Sequence, residues 1–163
     1  MRLNCKLLVI LFVLVAIVIG FIFSNSMQNS VESHRASGII EEIVKPIIYR
    51  ICGNDAVDIN YIVRKGAHLA EFCLLGLAVM GVIFTVGLKY FGYGLFSVLL
   101  VAVTDEYIQS FFDRTSSVKD VLIDFTGAMM GFVIGAIIFL IVQKIKKKDP
   151  NNVSEKICYN TKK

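Results

Sequence analysis

"YFGYGLFSVLLVAVTDEYIQSFF", Tyr90 to Phe112, decides how this chain is to be read. Up to Val103 the stretch is apolar, aromatic or small; then Asp105, Glu106 and Gln109 arrive before apolar character resumes at Phe111. A helix rising 1.5 Å per residue crosses a hydrocarbon core about 30 Å thick with roughly 20 mostly apolar residues. Tyr90 to Phe112 meets that length. Read as a membrane span, it places two acids and an amide near one end, where every buried charge is expensive.

Three further windows meet the same test. Leu7 to Phe23 is an unbroken apolar run. Gly66 to Leu88 is apolar except for His68, Glu71 and Thr85, and Asp120 to Val142 is apolar after its first turn. With 56% hydrophobic and 18% charged residues in 163, and a mean hydropathy of +0.70, the chain departs far from an average soluble domain. The sequence predicts an all-α, polytopic bundle of four transmembrane helices, forming one membrane domain over 1–148 with a polar tail over 149–163. The spans are expected at about 7–23, 66–88, 90–112 and 120–142.

The cysteines Cys5, Cys52, Cys73 and Cys158 lack metal-ligand spacing and argue against a disulfide framework. The net charge of +4 comes from lysines crowded at the C-terminus, so no nucleic-acid partner is needed to explain it. Arg2 and Lys6 before the first window, and "SNS" at Ser24 to Ser26 after it, resemble a signal peptide. The apolar run exceeds the roughly 7 to 15 residues of such segments, and a retained anchor is expected.

Short-loop lysines and arginines set the direction. Arg2 and Lys6, then Lys89 in the second-to-third turn, then "KIKKKDP" (Lys144 to Pro150) share one side, which the rule makes the cytoplasm. Both termini are therefore expected on the cytoplasmic side of a cell membrane. The loop from Ser24 to Lys65 opposes this assignment, because His34, Arg35, Lys45, Arg50, Arg64 and Lys65 fall on the proposed outside. Within it Ile39, Ile40, Ile43, Val44, Ile47, Ile48 and Ile51 recur at helical spacing, which predicts an amphipathic helix over about 31–52 lying on the outer interface as a tether or a lid.

Direction gathers the polar residues. Arg64, Lys65, His68 and Glu71 open the second span, Asp105, Glu106 and Gln109 close the third, and Asp120 and Asp124 open the fourth. Glu71, Asp105 and Asp124 each lie about 6 to 10 Å from the middle of their spans, on the outer side. Arg64, His68 and Glu71 form one helical stripe; Asp105 with Gln109, and Asp120 with Asp124, are i, i+4 neighbours. Below Asp124 the series Gly127, Gly131, Gly135 has the spacing that lets helix backbones approach closely. Several acids in one leaflet require partners, and Arg64, Lys65, His68, Arg114 and Lys119 offer positive charge.

Three strings complete the pattern: "RKGAHLAEF" (Arg64 to Phe72), "DEYIQSFFDR" (Asp105 to Arg114) and "SSVKDVLIDFTGAMMG" (Ser116 to Gly131). In order, spacing and membrane context they resemble the VanZ-like family, with its Lys, His and Glu, then Asp-Glu and Gln, an Arg, and a final Asp, Asn and two Gly. The serine-rich "FSNSMQNSVESHRAS", Phe23 to Ser37, is similar as well. The resemblance matches Lys65, His68 and Glu71 to the first motif, Asp105, Glu106 and Gln109 to the second, Arg114 to the arginine, and Asp120, Gly127 and Gly131 to the last. Asp124 stands where the family usually has Asn, and Phe112 and Asp113 replace its usual Pro-Gly. What the resemblance implies is a bacterial cell-envelope membrane protein linked to low-level teicoplanin resistance, with no reaction attached.

Two uses of the polar layer stay open on sequence. One is binding or modification of an amphiphilic envelope component: a lipid-linked wall precursor, lipoteichoic acid or a lipoglycopeptide, with membrane lipids around it and a second copy of the chain as a further partner. Chemistry there would use His68 as base, Glu71 or Asp105 to orient it, Glu106 beside them, and Lys65 with Arg114 on a phosphate, while Arg64, Gln109, Asp120 and Asp124 complete the binding set. The other use is structural, the network holding helices together; a small proton-coupled transporter is a further alternative. No cofactor is expected. A metal on His68, Glu71, Asp105 and Glu106 is disfavoured by the neighbouring arginines and lysine.

Overall fold

The computed structural model describes residues 5–28, 59–112 and 117–148, together with positions 42 and 46. Four long helices run through them: α1 Cys5–Ser26, α2 Ile59–Val86, α3 Phe91–Gln109 and α4 Val118–Lys148. Each is long and apolar enough to cross a membrane. The chain is thus all-α and multi-pass. The interfacial helix expected over about 31–52, Arg114, and the tail over 149–163 lie outside the described residues.

Local chemistry explains where these helices begin and end. α2 and α3 are separated by Gly87 at φ 126° and a single 3₁₀ turn, Leu88–Tyr90. A side chain at Gly87 would be strained at that φ, so glycine allows the reversal. α3 stops at the DEYIQ sequence in a turn, where the Ser110 amide bonds back to the Glu106 carbonyl. α2 begins at Ile59, seven residues ahead of its expected apolar window, and so takes Arg64 and Lys65 into its own second turn.

The bundle is organised around α2, which touches all three other helices and packs most extensively on α4. That pairing is a backbone approach. A Cβ placed on Gly131 would collide with the Cys73 carbonyl oxygen, one on Gly127 with that of Leu69, and one on Gly76 with that of Ala128. The Gly127, Gly131, Gly135 stripe therefore faces α2, as small-residue interfaces do where lipid supplies no hydrophobic drive for association. Ile22, Phe72, Leu75, Val98, Ala102, Ala128 and Phe132 form the core behind it, none more than 2% exposed. Outward faces such as Ile17 and Phe21 on α1, and Ile137, Leu140 and Ile141 on α4, stay exposed, as suits helices that cross a membrane.

Candidate functional site: a buried polar layer

Every buried polar side chain among the described residues lies at one end of the bundle: Ser26, His68, Asp105, Glu106, Gln109, Asp120 and Asp124. That end joins the last turn of α1, the first half of α2, the last turns of α3 and the first turns of α4. The helices therefore alternate in direction, with Lys6, Lys89, Lys144, Lys146 and Lys147 at the opposite end.

Asp105 is the centre of the layer and is fully buried. Its Oδ1 accepts from the Ser26 hydroxyl of α1, and its Oδ2 accepts from Gln109 Nε2 at 2.8 Å. The i, i+4 spacing of Asp105 and Gln109 turns both toward the same neighbour. Gln109 also reaches the Ser26 hydroxyl at 3.5 Å. From α2, His68 brings Nδ1 to 3.9 Å from Asp105 Oδ2 and 3.9 Å from Glu71 Oε2. Glu71 is fixed in turn, its Oε1 accepting from Asn25 Nδ2 at 2.7 Å.

Asp124 approaches from α4. One ligand-capable atom from each of His68, Asp105 and Asp124 lies within 4.8 Å of the others, and all three residues are buried. Asp124 is 2% exposed, and its Oδ2 has no hydrogen-bond partner among the described residues. Two carboxylate charges at such a distance repel by about 3 kcal/mol even at an effective dielectric of 20. Such repulsion is relieved by a positive centre or by a proton held on one of the two carboxyls.

The remaining acids are arranged differently. Lys65 Nζ lies 2.6 Å from Asp120 Oδ2, with both side chains near the rim of the bundle, and Lys65 also sits 5.7 Å from the Tyr61 ring. Glu106 Oε2 accepts the backbone N–H of Ser117 at 3.1 Å. It thus ties the start of α4 to the end of α3, a favourable place for a carboxylate because the unsatisfied N–H groups of a helix start point toward it. Of the residues named from the sequence, His68, Glu71, Asp105, Gln109 and Asp124 come together. Lys65 and Asp120 form a pair, Glu106 is drawn to the α4 start, and Arg64 is half-buried on α2 with its Nε in the interior.

Asn25 and Ser26 belong to this layer and were not among the residues picked out on sequence. In the string "SNS" they read as a cleavage-like end to the first window, whereas they are the polar cap that α1 inserts beside Glu71 and Asp105. The available signal was their level: at the end of α1 they stand opposite the acids that close α3.

Beneath the layer lies a cavity of about 460 Å³ between α1, α2 and α3. Its lining is apolar, from Ile19, Leu75 and Val101 at the upper end to Phe12, Val86 and Tyr90 at the lower. Leu75 and Val101 are each four residues, roughly 6 Å, along their helices from Glu71 and Asp105. Ile22, Phe72 and Ala102, fully buried, occupy the intervening level.

Residues 9–140, well over half the chain, match the family model described as VanZ/LLP1. No curated protein and no solved structure matches the chain.

Proposed function

The chain belongs to the VanZ/LLP1 family, and on that premise we propose that it binds or modifies an amphiphilic component of the bacterial cell envelope at the polar layer. The observation that carries this reading is the convergence of polar side chains from all four helices at one end of the bundle. Interhelical hydrogen bonds in membranes contribute on average only about 0.6 kcal/mol each. Holding helices together therefore does not require so many buried acids, and apolar packing would do it without desolvating charge.

An amphiphile suits the remaining geometry. Its headgroup would meet His68, Glu71 and Asp105 with Arg64 beside them and Lys65 at the rim, and its hydrocarbon chain would lie along the apolar cavity, which runs roughly 16 Å from Leu75 to Val86. That is about half a hydrocarbon core. The positive-inside rule puts the lysine-bearing ends in the cytoplasm and the polar layer in the outer leaflet, where lipid-linked wall precursors, lipoteichoic acid and lipoglycopeptides are accessible. A role in low-level resistance to teicoplanin is what the likeness to the VanZ family implies, and an outer-leaflet site is compatible with it.

The test uses cells expressing the wild type, His68→Ala, Glu71→Gln or Asp105→Asn at matched membrane abundance. The wild type is expected to shift susceptibility to a glycopeptide bearing an acyl chain and not to one without, and each variant to abolish the shift. Variants that lose abundance and phenotype in step would assign the layer to assembly alone. Binding and modification separate on incubating the purified protein with lipid-linked precursors and looking for product by mass spectrometry. For orientation, Cys52 should react with an impermeant thiol reagent in intact cells while Cys5 and Cys158 do not.

A further inference from the structure

We propose that His68, Asp105 and Asp124 form a binding site for a divalent first-row transition metal ion, of which Mn²⁺ is the representative, at the meeting point of α2, α3 and α4. The three residues come from three different helices yet bring one ligand-capable atom each to within 4.8 Å of the others. Donors around an ion with bonds of ~2.1 Å stand roughly 3 to 4 Å apart. Side-chain rotation of about 1 Å would close the set. One imidazole and two carboxylates suit Mn²⁺, Fe²⁺ or Zn²⁺ by the hardness of their atoms.

A second observation is independent of this convergence. Asp124 is 2% exposed, and its Oδ2 has no hydrogen-bond partner among the described residues. A buried carboxylate oxygen left in that condition is costly unless something fills the place beside it. Lys65 does not do so, because it is committed to Asp120 at 2.6 Å. Arginine and lysine beside the layer were the reason to expect no metal there; the structure directs the lysine elsewhere.

The supporting residues are those a metal carboxylate uses. Ser26 and Gln109 each donate to Asp105, one to each oxygen, and fix its orientation. Glu71, held by Asn25, brings Oε2 to 3.9 Å from His68 Nδ1, beside the three donors. Such outer contacts typically change metal affinity 10- to 100-fold when removed. The site goes beyond the binding of an amphiphile and holds whether or not that reading survives.

The experiment titrates the purified full-length chain in detergent, after treatment with chelator, with Mn²⁺, following the loss of the six-line electron paramagnetic resonance signal of the free ion. Cysteine thiolates are poor ligands for Mn²⁺, so Cys5, Cys52, Cys73 and Cys158 do not obscure the result. One saturable Mn²⁺ per chain is expected, with a rise in thermal midpoint that Mg²⁺ at equal concentration does not reproduce. Asp124→Asn, which keeps the side-chain shape, and His68→Ala should each weaken binding at least a hundredfold; Ser26→Ala, which removes an outer contact, should weaken it by about tenfold. Absence of saturable uptake by the wild type overturns the site, as does uptake that survives both Asp124→Asn and His68→Ala. The wild-type titration decides alone should either variant fail to assemble.

Discussion

At one end of this bundle seven buried polar side chains gather, most of them bonded across helices; at the other, the same helices meet through rings and small residues. Phe84 and Phe139 stack at 3.7 Å between centroids, nearly parallel, and Phe91 meets Phe132 edge-on at 5.6 Å. Among the described residues no buried polar group lies there. Lipid is as apolar as leucine, so the apolar end gains nothing from leaving the solvent and must be held by shape and dispersion. The polar end adds directional bonds with desolvation costs. Stability and function should therefore respond to substitution at different ends.

The largest effect is expected where both ends depend on one surface. Gly131 on α4 sits against the Cys73 carbonyl of α2, and Leu there cannot be accommodated without separating the two helices. Gly131→Leu should cost on the order of 3 kcal/mol or more, above the usual range for overpacking because backbone rather than side chain must yield. Full-length protein in the membrane fraction should fall at least tenfold. A variant of normal abundance and thermal midpoint would break the view that the α2–α4 approach holds the frame.

The next pair sets the ends against each other. Asp105→Asn keeps shape but weakens what Ser26, Gln109 and His68 meet, and should cost about 1 to 2 kcal/mol in a denaturant titration in detergent while abolishing the phenotype. Phe132→Leu, at a buried position on the apolar side of α4 that does not line the cavity, should cost a similar amount and leave the phenotype intact. If both lose function in proportion to stability, the distinction between the ends collapses.

How far this division could be read beforehand differs along the chain. The four helices were legible because length and hydropathy suffice to define a span, and the facing of α4 was legible from glycines every four residues. The level of His68, Glu71, Asp105 and Asp124 followed from counting residues along alternating helices. Helix starts were not: α2 begins at Ile59 because polar residues at a membrane interface join a helix as readily as apolar ones, so an apolar window marks only its core. The role of Glu106 was missed for another reason. Its neighbour is the backbone of Ser117, and no side-chain pattern encodes a carboxylate turned toward a helix start. Asn25 and Ser26 were hidden because ordinary residues at the end of a span look like the beginning of a loop.

The contribution of α1 can be measured through those two residues. Ser26→Ala removes a donor to Asp105, and Asn25→Ala removes one to Glu71. Each should cost about 0.6 to 1.7 kcal/mol, the range of interhelical hydrogen bonds in membranes. If α1 only anchored the chain, both substitutions would be silent in stability and phenotype alike. A double-mutant cycle of Ser26→Ala with Asp105→Asn should give less than the sum of the single effects.

The smallest effect is expected at the rim. Lys65 and Asp120 are 2.6 Å apart, but each side chain retains more than a tenth of its exposure at the end of the bundle, where water and headgroups compete for both charges. Pairs of this sort contribute below about 1 kcal/mol. A cycle through Lys65→Met and Asp120→Asn should return a coupling in that range, decreasing as salt is raised. Were the coupling several times larger and insensitive to salt, the pair would behave as part of the buried layer, and the boundary between a polar interior around Asp105 and a wet rim around Lys65 would have to move outward by a full turn of α2.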